Sequence, residues 1–423
     1  MAILNTLLTG IIDYRGKTPP NSEEGIPVIT AAHVKKGKVI HDNKKFVSEE
    51  VYENWTTRGF IKSGDVLITT EAPVGQVAFV PSDRTYLITR RVIALQTDKE
   101  KIDEKYLLYY LLQDRVRKHL ELLAHGSTVP RIFKDDITNI SIDLPHLSVQ
   151  QIISSILSTY DNLIENNTRR IQILEEMAQR IYKEWFVDFK YPGHENDELV
   201  DSELGMIPER WKVKRFGEIF NINRGISHKG KYLSTQGLPL VNLKSVNPGG
   251  GYRRDGLKYY TGNYSEKHTV KYGDIFIANT DLTQAGTIIG NAAIVPDIGN
   301  GRDILITHHM YIVRFNQSNS DFKYFIYLTL NSYEHKGHSK AHASGTTVLG
   351  LQQKSVLGFR IPVPHTNLLK KFDDIIQSIY SNIEICHQKN ENLRQTRDLL
   401  LPKLISGKVD VSNLDIDTCI LDD

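Results

Sequence analysis

The sequence has little cysteine, no long apolar run and almost no net charge. Its 423 residues include two cysteines, Cys386 and Cys419, too few for a disulfide framework or a cysteine zinc site. No apolar run approaches the roughly 20 residues of a membrane span, and the N-terminus lacks the basic stretch and apolar core of a secretion signal. The formal net charge is only +2, so nucleic-acid contacts would need local basic patches. We expect a cytoplasmic protein.

Recognisable catalytic motifs are missing as well. The sequence has no P-loop, and no GxGxxG follows a predicted strand and opens a helix. The run NPGG at 247–250 lacks the aromatic residue of an amino-methyltransferase tetrapeptide, and no acidic pair with a nearby lysine suggests a nuclease centre. We therefore predict no catalytic residue and no cofactor.

The chain instead contains a long internal repeat. The segment HGSTVPRIFKDDITNISIDLP at 125–145 corresponds to ASGTTVLGLQQKSVLGFRIPVP at 343–364, with Val129 matching Val348 and Pro145 matching Pro364. The upstream segments GDVLITTEAPVGQVAFV and ITRRVIAL correspond to GDIFIANTDLTQAGTIIGNAAIV and ITHHMYIV. A period of about half the chain exceeds the roughly 20–50 residues of solenoid repeats. It predicts two copies of one globular domain.

Each copy is followed by a helical pattern. Apolar residues recur at spacings of three and four after Pro145 and again after Pro364, which predicts two coiled-coil helices of about 35–40 residues. We expect them to pair antiparallel, with a domain at each end and a pseudo-twofold relation; the alternative is that each helix packs only on its own domain. The helix-pairing residues are predicted to be Ile156, Tyr160, Leu163, Ile171, Leu174, Ile376, Ile379, Ile383, Leu393 and Leu400.

The predicted fold class is α+β, with two mixed domains dominated by antiparallel strands and separated by two long helices. The predicted boundaries are 1–147 for the first domain, 148–190 for a central helix, 191–206 for a linker, 207–365 for the second domain, 366–408 for a C-terminal helix and 409–423 for an acidic tail. A single short helix is predicted at 106–123.

Histidines crowd one segment, YEHKGHSKAHASG at 333–345. The segment has no cysteine co-ligand of a closed zinc site. We predict a flexible polar loop facing DNA rather than a metal site, and no metal elsewhere.

Basic and hydroxyl side chains recur at matching positions of the two copies. Arg90 and Arg91 match His308 and His309 in the ITxx frame. Arg and Lys bind phosphates and guanine edges, and Ser or Thr hydroxyls reach either. Any one of these residues alone is better explained as a solvated surface group, and the recurrence is what favours a site. The predicted DNA-binding residues are Arg15, Lys17, His33, Lys35, Arg90, Arg91, Ser127, Thr128, Arg131, Arg224, His228, Lys229, Lys244, Arg253, His308, His309, Thr346 and Thr347.

The segment DSELGMIPERWKVKRFGEIFNINRGIS at 201–227 closely resembles the opening of a target-recognition domain in specificity subunits of type I restriction-modification systems. The layout of two modules and two helices, the GSTV and GTTV loops and the run from Arg15 to Pro19 are also similar. The resemblance implies that the modules read two half-sites of double-stranded DNA with a fixed gap. It also implies that the helices set this gap and bind two methyltransferase subunits, that restriction subunits join through the complex, and that the chain itself catalyses nothing.

The first copy departs from the second at its start. Nothing answers Ile207-Pro208 or Trp211 ahead of Arg15. Either the first module lacks its opening strand or its true start lies upstream.

Two other classes of function remain possible from the residues alone. A hydrolase with duplicated lobes would need a titratable cluster in a cleft, and none is visible. A coiled-coil scaffold without a nucleic-acid role is disfavoured by the repeated basic loops. A salt-dependent shift of duplex DNA would separate a DNA reader from both. The residues do not indicate which bases are read.

Overall fold

The computed structural model describes residues 1–414, except Arg15, Lys17 and the segments 41–44, 299–300 and 317–321. It divides into two compact units. Unit 1 combines Met1–Asn167 with Lys389–Asp423, and unit 2 is Thr168–Gln388. Each unit therefore contains one copy of the repeat and part of each long helix. We call residues 1–147 the first module and residues 207–365 the second module.

The first module is built on a four-stranded antiparallel sheet. Its elements are β1 (Ala2–Ile3), β2 (Leu8–Ile12), β3 (Ile26–Ile29), β4 (Val34–Lys35), β5 (Lys38–Val39), β6 (Phe46–Val47), α1 (Glu49–Trp55), β7 (Val66–Thr69), β8 (Val77–Phe79), β9 (Leu87–Ile88), β10 (Val92–Thr97), α2 (Glu104–Leu112), α3 (Asp114–Leu122), α4 (Lys134–Thr138) and β11 (Ser141–Ile142). The large sheet has the order β2–β10–β7–β8, and a smaller one has the order β6–β3–β9. Strands β3 and β9 run parallel.

The first long helix, α5 (Leu147–Tyr182), follows and ends in a π-helical turn, Lys183–Val187. The elements of unit 2 after it are β12 (Leu199–Ser202), β13 (Gly205–Pro208), β14 (Lys212–Arg215), α6 (Phe216–Ile219), β15 (Phe220–Arg224), β16 (Leu233–Ser234), β17 (Leu238–Val241), β18 (Lys258–Tyr260), β19 (Thr269–Val270), β20 (Ile275–Ala278), β21 (Thr280–Asp281), β22 (Ala292–Ile294), β23 (Ile304–Ile306), β24 (Met310–Phe315), α7 (Lys323–Leu330), α8 (Tyr333–Ala341), β25 (Ala343–Ser344), β26 (Leu349–Leu351), α9 (Gln353–Leu357) and β27 (Arg360–Val363). The second long helix, α10 (Thr366–Ile405), begins in unit 2 and ends in unit 1.

The two modules have the same sheet topology. The order β15–β24–β20–β22 repeats β2–β10–β7–β8, and the parallel pair β17–β23 repeats β3–β9. The strand that opens each module pairs with the strand that closes it, β1 with β11 and β14 with β27. The first module therefore has an opening strand, with two residues instead of the four of β14.

The long helices pair within each unit. In unit 1, Asn167 donates its side-chain amide to Asn390 at 2.9 Å, and Arg397 forms an ion pair with Asp161. In unit 2, the rings of Tyr182 and Phe372 lie 6.5 Å apart, so the end of α5 contacts the beginning of α10. In each unit the early part of one helix contacts the late part of the other, so the two helices pair antiparallel, as the sequence predicts.

One predicted seam residue is wrong. Leu163 is 46% exposed, whereas Ile164 is 7% exposed. The remaining predicted seam positions are buried or half-buried. Leu157, Ile164, Ile171 and Ala178 are all buried and lie seven residues apart, so the seam of α5 keeps its heptad spacing. Leu163 lies one position outside this seam.

Three further predictions need correction. The histidine-rich segment is helix α8 rather than a flexible loop, because Ser332 caps it by accepting the amide of His335 and because His335 and Ser339 are both 0% exposed. The helix predicted at 106–123 is two helices, α2 and α3, which break at Gln113. The predicted linker at 191–206 contains most of the hairpin β12–β13.

The acidic tail predicted at 409–423 is only partly described. Within it, Val411 is 2% exposed and belongs to the core of unit 1. Its last nine residues, 415–423, lie outside the described residues. The tail therefore begins packed against the domain.

Candidate nucleic-acid interface

The turn between β9 and β10 presents the two adjacent arginines of the first module. Arg91 forms an ion pair with Glu71, with 2.8 Å between Nη2 and Oε1, and its carbonyl accepts the amide of Thr70 at 2.9 Å. Arg90 is exposed and forms no ion pair or hydrogen bond with the described residues. Since Glu71 holds the guanidinium of Arg91, Arg90 is the arginine with its donors available for a ligand.

The equivalent turn between β23 and β24 carries two histidines. The rings of His308 and His309 lie 3.9 Å apart, and the ring of His228 lies 6.5 Å from that of His308. Arg224, at the end of β15, donates from Nε to the carbonyl of His308 at 2.9 Å. The structure thus brings together four of the predicted residues of the second module.

The imidazoles of this cluster are held neutral. Burial, followed by the charge of Arg224, lowers the pKa of His308. Burial, followed by His308, lowers the pKa of both His309 and His228. The Nδ1 atoms of His228 and His308 are buried and have no hydrogen-bond partner among the described residues. The turn of the first module is therefore cationic at neutral pH, whereas the histidines of the second are not.

Each module also presents a glycine-led loop of the same conformation. Gly126 and Gly345 have φ of 95° and 131°, a region that side chains rarely adopt. A Cβ on either glycine would meet the carbonyl oxygen three residues later, at 3.3 Å from Val129 and 2.1 Å from Val348. The hydroxyl residues that follow each glycine are exposed, namely Ser127, Thr128, Thr346 and Thr347. The loops expose hydroxyl groups in both modules.

The same short pairing closes both loops. In the first module the backbones of His125 and Arg131 exchange hydrogen bonds of 2.7 and 2.9 Å, and Arg131 pairs with Glu71. In the second, β26 pairs with β25 and with β21. This pairing joins the glycine loop of the first module to the turn that carries Arg90.

Position 225 requires glycine because the backbone of residues 306–307 passes close to its Cα. It follows Arg224, and a Cβ there would lie 2.3 Å from the carbonyl oxygens of Ile306 and Thr307. Its amide donates to the carbonyl of Met310 at 3.1 Å. This packing places Arg224 beside the histidine turn.

Some predicted residues do not belong to these surfaces. His33 is 7% exposed and its Nδ1 accepts the amide of Thr30 at 3.2 Å, so it stabilises a turn within the first module. Lys35 is exposed in the hairpin β4–β5. Arg15 and Lys17 lie outside the described residues.

Three basic residues of the second module lie on other loops. Lys229 and Lys244 are exposed. Arg253 binds Asp255 through two hydrogen bonds of 2.6 and 2.9 Å. Its donors are thus partly engaged within the protein, which makes Arg253 a weaker candidate than Arg224.

Glu71 and Thr280 are not among the residues predicted from the sequence, although the repeat contained a signal for them. Counted without a gap from Gly64 and Gly273, the matching segments read Thr70-Glu71 and Asn279-Thr280. Glu71 fixes Arg91, and the hydroxyl of Thr280 lies 3.3 Å from Nδ1 of His309. The same position therefore orients the turn in both modules.

The described part of the chain contains no group of three or more His, Cys, Asp or Glu residues placed to hold a metal ion. Among its helices, none is long and apolar enough to cross a membrane.

The family model of the type I restriction modification DNA specificity domain matches residues 8–176 and 208–395. Each match covers most of one module and much of the helix that follows it. The chain is 27% identical over 406 residues to the type I restriction enzyme MjaIX specificity subunit of Methanocaldococcus jannaschii, covering 92% of this chain and 88% of that protein. It is 26% identical over 331 residues to the MjaVIII specificity subunit of the same organism, covering 78% of this chain and 75% of that protein.

The fold resembles a solved structure. The S subunit of a type I restriction-modification system from M. genitalium aligns with a TM-score of 0.56 and 17% identity, over 95% of each chain. At this identity the likeness concerns the fold.

Proposed function

Since the chain belongs to the type I restriction modification DNA specificity family, we propose that it reads a bipartite DNA target for a restriction-modification complex. The chain recognises DNA and does not catalyse, and the modification and cleavage reactions belong to partner subunits. The observation that carries this function is the double match of the family model, once on each module with its helix.

We assign sequence reading to the turns that differ between the modules. Two modules that read different half-sites need different side chains at equivalent positions, and the turns supply arginines in one and histidines in the other. Arginine binds O6 and N7 of guanine through two hydrogen bonds. Arg90 has its donors available for such a contact, whereas Arg91 is held by Glu71.

The loops that are alike in both modules are suited to bind the sugar-phosphate backbone, which does not vary with the base sequence. Exposed hydroxyls and backbone N–H groups bind phosphate oxygens and fix the register of a protein on the duplex. The loops that begin at Gly126 and Gly345 share their conformation and their exposed Ser or Thr residues. We assign to them the phosphate contacts beside each half-site.

The helices are the proposed surface for partner subunits. In unit 2, Ile173 and Met177 of α5 are each 47% exposed, and they lie one helical turn apart. In unit 1, Leu163 and Leu399 are 46% and 66% exposed. Apolar side chains exposed on paired helices are typical of surfaces that bind other proteins. The proposed partners are two methyltransferase subunits and, through the complex, restriction subunits acting on cytoplasmic DNA.

The direct test is a binding titration of duplex DNA with and without the methyltransferase partner. We expect weak binding by the chain alone and tight, sequence-specific binding by the complex. The logarithm of the binding constant should fall against the logarithm of salt concentration with a slope of about −0.9 per phosphate neutralised. Failure of the complex to bind duplex DNA, or binding that is insensitive to salt, would contradict the proposal.

A further inference from the structure

The histidine pair of the second module has one nitrogen that is poised to accept a proton. The hydroxyl of Thr280 donates to Oδ1 of Asn279 at 2.7 Å, and Nδ2 of the Asn279 side chain donates to the carbonyl of His308 at 3.2 Å. Because the proton of the Thr280 hydroxyl is already used, its oxygen accepts from Nδ1 of His309, 3.3 Å away. This chain of hydrogen bonds fixes the tautomer of His309. The lone pair is then on Nε2, which has no hydrogen-bond partner in the described part of the chain.

The surroundings keep that nitrogen unprotonated in the free protein. Burial acts first to lower the pKa of His309, followed by His308, Arg224 and His228. Lys258, on β18, adds positive charge beside His228. The carboxylate that follows Thr280, Asp281, is 1% exposed and is engaged by the amides of Thr283 and Ile288 at 2.8 and 2.7 Å. The described groups that act on the imidazole are thus cationic or neutral.

A second proton is disfavoured by the stacking. The rings of His308 and His309 lie 3.9 Å apart, and two imidazolium ions at this distance repel each other. Interacting groups of this kind titrate as a pair. The pair therefore accepts one proton, and the tautomer of His309 directs it to Nε2 of that residue.

We propose that His309 takes up one proton when the second module binds its half-site, and that the resulting imidazolium donates from Nε2 to a DNA phosphate oxygen. This inference rests on the proposed function. The phosphate supplies the negative charge that the protein does not provide around the pair. The turn of the first module has Arg90 and Arg91 at the equivalent positions, and these are charged at every physiological pH. Proton uptake at this turn is therefore expected in the second module and not in the first.

The sign of the pH dependence follows from the linkage between protons and DNA. The pKa of His309 is lowered in the free protein and is raised in the complex by the phosphate. Binding therefore strengthens as the pH falls through the pKa of the complex, and it levels off below the pKa of the free protein. Between these limits one proton gives a change of about tenfold in affinity per pH unit.

The experiment measures the affinity of the complete complex with its methyltransferase for a cognate duplex, identified by methylation mapping, from pH 6 to pH 8.5. Calorimetry in two buffers of different ionisation enthalpy counts the protons taken up. We expect about one proton for the wild type and none from this site for His309→Gln. His309→Arg should bind tightly at every pH, with a salt slope steeper by about 0.9 than that of His309→Gln, and it shows that the turn tolerates substitution.

Two control variants locate the effect. Arg90→Ala should weaken binding and retain the pH slope, because it alters the first module. His268→Gln removes a partly buried histidine of the second module whose pKa is also lowered, by burial and then by Lys267, and it should retain the slope as well. A slope that is absent in the wild type, that persists in His309→Gln or that disappears in His268→Gln would overturn the inference. If the complex binds no duplex at any pH, the proposed function itself fails.

Discussion

At the scale of single residues, adjacent arginines of one turn have different roles. The donors of Arg91 are engaged by Glu71 at 2.8 Å, whereas Arg90 is exposed and has no ion-pair partner among the described residues. A side chain that reads bases needs hydrogen-bond donors that are available, as those of Arg90 are. Arg91 is fixed by its ion pair and keeps the turn in place. The equivalent division in the second module is between His309, held by Thr280, and His308.

Arg90→Ala should therefore relax discrimination at the first half-site by about 1–3 kcal/mol, the contribution of one bidentate contact to a base. Arg91→Ala should have a smaller effect on base preference, because its guanidinium is already paired with Glu71. Competition binding with duplexes altered in one half-site measures both. Arg117→Ala, on the exposed face of α3, is the control. Equal losses at both half-sites would contradict the assignment.

A second prediction concerns the backbone beside the histidine turn. Gly225→Ala should destabilise unit 2 by about 1–3 kcal/mol, because its Cβ would lie 2.3 Å from two carbonyl oxygens. Gly230→Ala is the matched control, since nothing lies within 4 Å of a Cβ there. Thermal unfolding of the two variants gives the comparison. Equal melting temperatures would show that the backbone can move away from the new methyl group.

At the scale of elements, the helix pair of unit 1 contains a polar contact inside an apolar seam. Asn390 is 2% exposed and accepts from Asn167 at 2.9 Å. Nearby, Asp161 receives both Arg397 of α10 and the hydroxyl of Tyr109 of α2, the latter at 2.6 Å. Burial, followed by the charge of Asp161, raises the pKa of Tyr109. A single polar pair at a seam position specifies the register of two helices.

Asn390→Leu should lower stability by about 1–3 kcal/mol, because the half-buried side-chain amide of Asn167 loses its acceptor. The double variant Asn167→Leu, Asn390→Leu should recover that loss, since the unpaired amide is removed as well. Thermal unfolding of these variants and of Asn392→Leu, an exposed position on the same helix, tests this. A double variant no more stable than the single one would refute the role assigned to the pair.

The elements also show what a sequence does and does not reveal. The internal repeat predicted both modules. The heptad spacing predicted both long helices, because a helix pair depends on periodic apolar residues. Helix α8 was not predicted, since its composition is that of a polar loop. It forms because His335 and Ser339, one turn apart, are both buried, a tertiary contact that local composition does not indicate. The ion pair of Arg91 with Glu71 likewise joins residues beside two different strands, one after β7 and one before β10.

At the scale of the whole molecule, two copies of one module suit a target with two halves. Equivalent turns carry different side chains, whereas equivalent loops keep one conformation. We propose that the diverged turns read bases, that His309 of the second turn also contacts a phosphate, and that the unchanged loops bind the DNA backbone. The two long helices, each contributing to both units, are proposed to set the gap between the half-sites.

Adding one heptad to both α5 and α10 tests the role of the helices. Seven residues keep the seam in phase and lengthen the pair by about 10 Å at roughly 1.5 Å per residue. The unspecified gap should grow by about three base pairs at roughly 3.4 Å each. Binding should weaken, because the half-sites are also rotated by roughly a hundred degrees around a duplex of about 10–10.5 base pairs per turn. Methylation mapping of the variant reads the gap, and an unchanged gap would show that the helices do not set it.

The central claim is that each module reads its own half of the target, and exchanging one module tests it most directly. The measurement is methylation mapping, in cells that express the methyltransferase partner, of the wild type and of a chimera. In the chimera, residues 207–365 are replaced by the equivalent module of a family member with a different target. We predict a methylated sequence in which one half changes to that of the donor and the other half stays as in the wild type. A chimera that methylates DNA with both halves changed, or with neither changed, would contradict the claim.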